Sequence, residues 1–382
     1  MVLWTTALDG GPRRVNHASV AIGDFIYSFG GYCSGEDYKL SRPMDVHVLN
    51  TNNLRWSLLP TKKDKAYPNV PFQRYGHTAV AYESKVYIFG GRNDEMVCDI
   101  LFCFDTKTLE WETPKVSGSL PEARDGHSAC IVDSKMYIFG GFEEVMDQFS
   151  CDVHCLDLLT MQWRFIHTFG SPPSYRDFHT ATVINDRMYI FGGRGDVHSP
   201  YHSQDDIYCP KIVYLDLKTH QWIMPLTTNK EPIGRRSHSA FVYNGLMWIF
   251  GGYNGILDLH FNDLHCFDPV KNVWHLIEAH GTSPKARRRQ SCIVIGKKMY
   301  LFGGTCPSKN NSIASAENLS SNQLVDYNDT HVLDFEPSLK TLCILAVIRY
   351  NVNLADLPRE LRYEIRMMLQ ANSISRPLTN TG

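Results

Sequence analysis

Arginine and histidine recur along this chain of 382 residues at a spacing that calls for a reason. The motif Arg-x-x-His runs Arg14 to His17, Arg74 to His77, Arg124 to His127, Arg176 to His179 and Arg235 to His238; a sixth copy runs Arg287 to Gln290. Imidazole and guanidinium groups side by side suit proton transfer, metal ligation or anion binding. Recurrence points elsewhere, because a residue repeated at one position in every copy is structural, and hydrogen bonds from loop to backbone explain it most simply. A metal has one better candidate, the cluster Cys151, His154 and Cys155. No second ligand pair follows it at finger-like spacing, so no metal site is expected. The 11 cysteines, among them Cys130, Cys266 and Cys292 in strand-like runs, read as reduced, buried small hydrophobes. What varies inside the motif carries the chemistry of recognition. Asp125 and Asp177 are acidic, Tyr75 is aromatic, and Arg236, Ser237, Arg288 and Arg289 offer cations and a hydroxyl. Arginine forks suit a carboxylate, which they hold through paired, charge-assisted hydrogen bonds.

The elements that position these residues are repeats. Six β-branched and aromatic runs end in Phe-Gly-Gly, with the glycine pairs beginning at Gly30, Gly90, Gly140, Gly192, Gly251 and Gly303. Their spacings are 60, 50, 52, 59 and 52 residues. After each of the first five pairs stands a tryptophan, Trp56, Trp111, Trp163, Trp222 or Trp274, six residues beyond an Asn or Asp. A diglycine allows positive φ and close backbone approach, and a Trp supplies apolar area between neighbouring units. One such unit cannot bury both its faces, so the units must stack. Six residues after Asp334 stands Lys340 instead of Trp, while Trp4 begins the chain without a repeat of its own. The N-terminal strand is therefore expected to complete the last unit and close a ring.

These motifs resemble the kelch family, whose repeats of about 50 residues fold as blades of a β-propeller. The resemblance covers residues 1–335 and implies an all-β, six-bladed propeller closed by its N-terminal strand. Composition agrees: hydrophobic residues make up 43% and charged residues 20%, enough to bury a large core. A net charge of −2 gives no field that would steer the chain to nucleic acid or an acidic membrane. The run Arg287-Arg288-Arg289 is short and lacks interleaved aromatics, which argues against nucleic acid. The first residues show neither the basic nor the apolar region of a secretory signal, and no apolar run reaches the length of a membrane span. A cytoplasmic location is expected, with the nucleus as a second.

Alternation stops after Asp334. Leu339, Cys343 and Val347 fall at i, i+4 and i+8 of a helix that Leu342, Ile344, Leu345 and Ile348 make apolar nearly all round. A second helix follows, with Pro358 in its first turn and Leu361, Ile365 and Met368 at helical spacing. Two readings are open: a small cap folded on the ring, or a docking element whose partner covers it. Leu339-x3-Cys343-x3-Val347 resembles the elongin-binding box, and Leu357-Pro358-x2-Leu361-x3-Ile365 resembles the cullin-2 box. Arg359 and Glu360 depart from the version that selects cullin-5. The layout 1–335, 338–369 and a flexible tail 370–382 is similar to kelch-domain substrate receptors of cullin-2 RING ubiquitin ligases.

That resemblance implies partners and a ligand. The partners are elongin C with elongin B, cullin-2 with its RING subunit, and substrate proteins with exposed C-terminal degrons, often ending in glycine. It implies no catalytic residue and no cofactor. In that family an Arg after a diglycine and a Ser at the next blade's start anchor the carboxylate; Arg194 matches the first, while Ser237 lies one residue off, with Arg236 in its place. Arg288 and Arg289 would add to the anion site, Tyr75 and Tyr201 to its rim, and Asp125 and Asp177 would take a basic side chain upstream. The chain's own Gly382 is a candidate occupant of that pocket. Two other functions stay open: a kelch scaffold that binds actin or chromatin, and a kelch oxidase or hydrolase, for which no converging ligand set or carboxylate pair stands apart from the repeat.

Overall fold

The computed structural model describes residues 1–34, 42–60, 69–308 and 324–374. Six antiparallel sheets of four principal strands are arranged as blades of a closed ring. In the first blade the strands run outward as Ala18–Ile22, Phe25–Phe29, Val46–Asn50 and Arg55–Leu58. Innermost strands of successive blades touch, and that of the sixth, Ser291–Ile295, touches that of the first. Each second strand is buried on consecutive residues, as along Val86-Tyr87-Ile88-Phe89, because adjoining blades cover both its faces. This is why these strands read as continuous apolar runs instead of alternating.

Closure occurs where the missing tryptophan indicated. Leu3–Leu8 pairs antiparallel with Thr330–Asp334 and becomes the outer strand of the sixth blade. Each Trp packs on the Phe of the preceding blade's Phe-Gly-Gly. Centroid distances are 4.8 Å for Trp56 on Phe302, 5.4 Å for Trp163 on Phe89, and 5.8 Å for Trp4 on Phe250. Trp4 thus does in the sixth blade what its counterparts do in the others.

The outer edges of five of the blades are also covered among the described residues. The segment crossing from one blade pairs parallel with the next outer strand: Ser117–Gly118 on Gln162–Trp163, Phe169–Gly170 on Gln221–Trp222, Thr228 on Val273 and His280 on Leu3. At the first blade the C-terminal end takes this place. The Asn372 side chain accepts from the Trp56 N–H at 2.9 Å and donates to the Leu54 carbonyl at 3.2 Å. Its backbone N–H donates to the Asp9 carbonyl (2.7 Å), and that of Ile374 to Gly10 (3.0 Å). A side-chain amide here stands in for a peptide group along the strand edge. The tail expected from residue 370 is accordingly held through Ile374; residues 375–382, including Gly382, lie outside the described residues.

Two helices precede this clasp, α1 (Leu339–Arg349) and α2 (Arg359–Leu369). Ser338 caps α1 by accepting from the Thr341 N–H. α2 packs on α1 and on the N-terminal strand, and Arg55 donates to the carbonyls of Met367 in its last turn (3.1 Å) and of Gln370 just beyond it (2.6 Å). No described helix is long and apolar enough to cross a membrane.

Candidate functional site

The loop leading into each inner strand and the loop leaving each diglycine meet on one face of the ring. The first variable residue of Arg-x-x-His bridges to the residue after the diglycine, always 17 positions on: Val15 to Tyr32, Tyr75 to Arg92, Asp125 to Phe142, Asp177 to Arg194, Arg236 to Tyr253 and Arg288 to Thr305. The second variable residue behaves differently. Asn16, Gly76, Gly126, Phe178, Ser237 and Arg289 all have positive φ. Their backbones form a closed circle in which each N–H donates to the carbonyl of its counterpart one blade back. The distances run from 2.7 Å for Phe178 to Gly126 to 3.1 Å for Asn16 to Arg289. With the His or Gln that follows each, these residues line an open pocket of about 120 Å³.

The repeated Arg and His hold this face together. In blades two to six the Arg Nη1 donates to the carbonyl of the first glycine in its own blade, at 2.7–3.1 Å. The Arg carbonyl accepts the N–H of the second glycine one blade back, from Gly31 to Arg74 round to Gly304 to Arg14. At Gly192 the glycine is obligatory: φ is +66° and a Cβ would stand 2.4 Å from the Arg235 carbonyl oxygen. Histidines tie to the preceding blade, His77 to the Phe29 carbonyl, His127 to Thr78, His179 to Ser128 and His238 to Thr180. Burial and the neighbouring Arg push the His77 and His238 pKa down to about 3, and those of His17, His127 and His179 well below the usual value. The imidazoles are therefore neutral struts.

No group of three His, Cys, Asp or Glu among the described residues is placed to hold a metal. In the cluster singled out from sequence, His154 and Cys155 are neighbours in the strand Val153–Asp157 and point to opposite faces.

Charge divides the mouth. In blades five, six and one, Arg236 lies over the rings of Tyr208 and Tyr253 and 3.8 Å from Asp206. Arg288 stacks on Tyr253 at 4.3 Å, and Arg289 donates to the Tyr32 hydroxyl. The buried Nε atoms of Arg288 and Arg289 have no hydrogen-bond acceptor among the described residues. Burial, with Arg289 and Arg236 alongside, brings the Arg288 pKa down to about 10. An anion placed here would reverse that penalty. Ser237, one of the circle, adjoins these cations.

Blades three and four are acidic. Arg194 is fully engaged by Asp177, through Nε at 3.1 Å and Nη2 at 2.5 Å, so its charge is neutralised within its own blade. The partner sits at the constant offset of 17 residues, a signal present in the sequence. Asp125 is 6% exposed, and its carboxylate has no hydrogen bond or ion pair among the described residues. Burial foremost, then Asp177 and Glu144, push its pKa up to about 7 against the opposing pull of Arg92 and Arg194; the Tyr75 hydroxyl faces it as well. Tyr75 donates to Asp94, while Tyr201 is 65% exposed at the rim and bridges to Gln148. The residues that sequence reasoning did not supply are Asp206 and Tyr208, which hold Arg236 from a loop with no repeat signature.

On the helices, Leu339 is 77% exposed and Cys343 is exposed, with Val347 half-buried. Ile344 and Ile365 are the buried residues of the pair. Of the second predicted box, Leu357 and Leu361 are half-buried and Pro358 is exposed. The Leu339–Cys343 stripe thus points away from the ring.

A family model described as the KLHDC2/KLHL20/DRC7 Kelch-repeats domain matches residues 16–95 and 76–304. Kelch domain-containing protein 3 of Bos taurus and that of Homo sapiens are each 50% identical to the chain, over the full length of both partners. Host cell factor 2 of Homo sapiens is 30% identical over 63% of this chain and 31% of its own length.

Proposed function

The chain belongs to the kelch-repeat β-propeller family, and from that premise we propose that it is the substrate-recognition subunit of a cullin-2 RING ubiquitin ligase. The observation that carries this reading is the apolar stripe Leu339–Cys343 left exposed on a helix of the elongin-box pattern, beyond a propeller whose mouth gathers Arg236, Arg288 and Arg289. In this reading the stripe docks on elongin C, bound to elongin B, and Leu357, Pro358 and Leu361 on cullin-2, while Ile365, buried in the helix pair, supports that surface from beneath. The mouth takes the C-terminus of a substrate, with its carboxylate held by Arg236, Arg288, Arg289 and the Ser237 hydroxyl. Arg194, already neutralised by Asp177, then acts on the ligand through that aspartate's orientation. A last residue of glycine suits a pocket ringed by backbone, and Asp125 meets a basic side chain further up the peptide. The chain's own Gly382 is proposed as a competing occupant. Kelch-repeat propellers are generally non-catalytic, and this role is too: it raises the effective concentration of substrate beside the ubiquitin-charged enzyme.

Co-purification from cells tests the docking half. Elongins B and C and cullin-2 are expected to accompany the wild-type chain and to be lost from Leu339→Ser/Cys343→Asp, while binding of a glycine-ended peptide persists. A chain that brings down none of them while folded is a scaffold instead. Arg288→Ala/Arg289→Ala should show the converse, elongins retained and peptide affinity reduced at least about tenfold, as for loss of a desolvated charge pair.

A pH dependence follows from Asp125. Its carboxyl is largely protonated below pH 7 and attracts a cation only once ionised. Affinity for a peptide with a basic residue near its end is expected to rise from pH 6 to pH 8, and Asp125→Asn should flatten that rise. Titration by fluorescence anisotropy at each pH reads it directly.

A further inference from the structure

We propose that Cys98 is a site of peroxide modification, oxidised to a sulfinate that completes an ion pair the second blade lacks. Four of the six buried motif arginines meet a carboxylate: Arg14 pairs with Asp45, Arg124 with Glu143, Arg235 with Asp263 and Arg287 with Asp329, all at 2.5–2.6 Å. Arg74 and Arg176, equally buried, join no ion pair among the described residues. A thiol stands beside each instead, Cys98 beside Arg74 and Cys209 beside Arg176. Thiol sulfur is a weak acceptor and a poor substitute for a carboxylate.

The two blades differ in what the guanidinium still needs. Arg176 is satisfied, through Nη1 on the Gly192 carbonyl, Nε on the Ser174 carbonyl and Nη2 on the Ser174 hydroxyl. Arg74 donates through Nε to the Phe72 carbonyl (3.2 Å) and through Nη1 to the Gly90 carbonyl (3.1 Å). Its Nη2 is buried with no acceptor among the described residues. The rings of Phe72 and Phe102 flank the cation at 4.2 Å and 5.0 Å, so its surroundings are apolar. Burial lowers the Arg74 pKa, with Cys98 pulling the other way. A second donor faces the sulfur from its own loop, the Ile100 N–H at 3.4 Å. Guanidinium and N–H together are the donors an anion at this place would use. The position also takes bulk. The Cys98 N–H donates to the Gly91 carbonyl, and the same bond to the second glycine places Ser150, Phe261 and Tyr327 in blades three, five and six. Phe261 and Tyr327 lie against their arginines at 3.8 Å and 4.1 Å.

The chemistry needs only hydrogen peroxide as oxidant. The thiolate attacks one peroxide oxygen; an S–O bond forms, the O–O bond breaks, and the departing hydroxide takes up the proton the thiol released. Sulfur loses two electrons and the peroxide gains them. A second peroxide repeats the exchange on the sulfenate and leaves a sulfinate. Its two oxygens present the fork that Asp263 and Asp329 present to Arg235 and Arg287. Access separates this sulfur from the deeper Cys103 in the same blade: Cys98 is 5% exposed and Cys103 0%.

Peroxide titration of the full-length protein, followed by peptide mass mapping and melting, tests the assignment. Two added oxygens are expected on Cys98 at peroxide levels that leave Cys103 unmodified. The melting temperature should then rise by about 2–4 °C, as for a new hydrogen bond to a charged group. Cys98→Ala should lose that rise and Cys209→Ala should keep it. Without peroxide, Cys98→Asp should melt above Cys98→Asn, although a buried carboxylate ordinarily destabilises. The proposal is overturned if Cys98 stays a thiol while Cys103 oxidises, or if its oxidation lowers the melting temperature. It is equally overturned if Cys98→Asp fails to fold or melts no higher than Cys98→Asn, since a neutral acceptor then satisfies Arg74 as well.

Discussion

Deleting residues 1–8 is expected to destroy the cooperative thermal transition of the protein, whereas deleting residues 375–382 leaves it in place. The first strand supplies a whole edge of the sixth blade, paired from Leu3 with Asp334 to Leu8 with Thr330. It buries Leu3, Trp4 and Leu8. At about 1.5–3 kcal/mol for each large side chain and about 1 kcal/mol for each ladder hydrogen bond, the loss is comparable to the whole stability of a domain, about 5–15 kcal/mol. The damage does not stop at one blade, because both closed circles of inter-blade hydrogen bonds pass through the seam between blades six and one. Asn16 donates to Arg289 there, and Gly304 to Arg14. Ending the chain at residue 369 should give a smaller loss, since it removes the Asn372 clasp and keeps the ring. Calorimetry on the three truncations checks the order; equal effects of the two terminal deletions would falsify closure by the N-terminal strand.

Acid should unfold the protein well before its ordinary surface carboxylates titrate. Five motif histidines are buried and neutral, with folded pKa values of about 3 for His77 and His238 and strongly lowered for the other three. In the unfolded chain each titrates near its ordinary value of about 6.5. Below that pH the unfolded state binds protons that the folded state refuses, so stability is complete above about pH 6.5 and falls as pH drops. Each group contributes up to about 1.4 kcal/mol per pH unit. The raised carboxyls of Asp125, Asp177 and Asp152 act in the opposite sense and offset part of this. The melting temperature is expected to fall steeply between pH 7 and pH 5. The sixth blade supplies the control, because Gln290 Nε2 donates to the Phe250 carbonyl at 3.0 Å just as His77 Nε2 reaches Phe29 at 3.1 Å. His77→Gln should keep the bond and reduce the slope by about one proton. A melting temperature flat down to pH 5 would remove the imidazoles from the account.

The ring was legible in the sequence because its determinants are periodic. Diglycines, Arg-x-x-His and the Trp register each recur, and the Trp missing at Lys340 is made good by Trp4. The division of labour within Arg-x-x-His was not legible. Asp177 and Phe178 are adjacent letters, yet one bridges outward to Arg194 and the other turns to the axis with φ +48°. Backbone sign, which leaves little trace in residue type beyond Gly76 and Gly126, separates them. Arg194 read as a free cation because its neutraliser lies in another loop, although the fixed offset of 17 residues pairs every such position. The clasp at Asn372 was invisible for a different reason. It works through a single side-chain amide lying along a strand edge, which has no period and no hydrophobic signature.

The seam also fixes when the molecule can become a propeller. Thr5 and Val332, bonded at 3.3 Å where the first strand completes the sixth blade, are separated by 327 residues. At about 5–20 residues per second of synthesis, the first strand waits roughly 15–70 s for its partner. Through that interval the nascent chain carries an unpaired edge at each end, a long-range closure of the kind that folds slowly and exposes sticky intermediates. α1 and α2 emerge only after the closing strand Thr330–Asp334. The exposed Leu339–Cys343 stripe therefore emerges only on chains that already possess every strand of the ring, and ribosomal order itself keeps that apolar surface off half-made propellers.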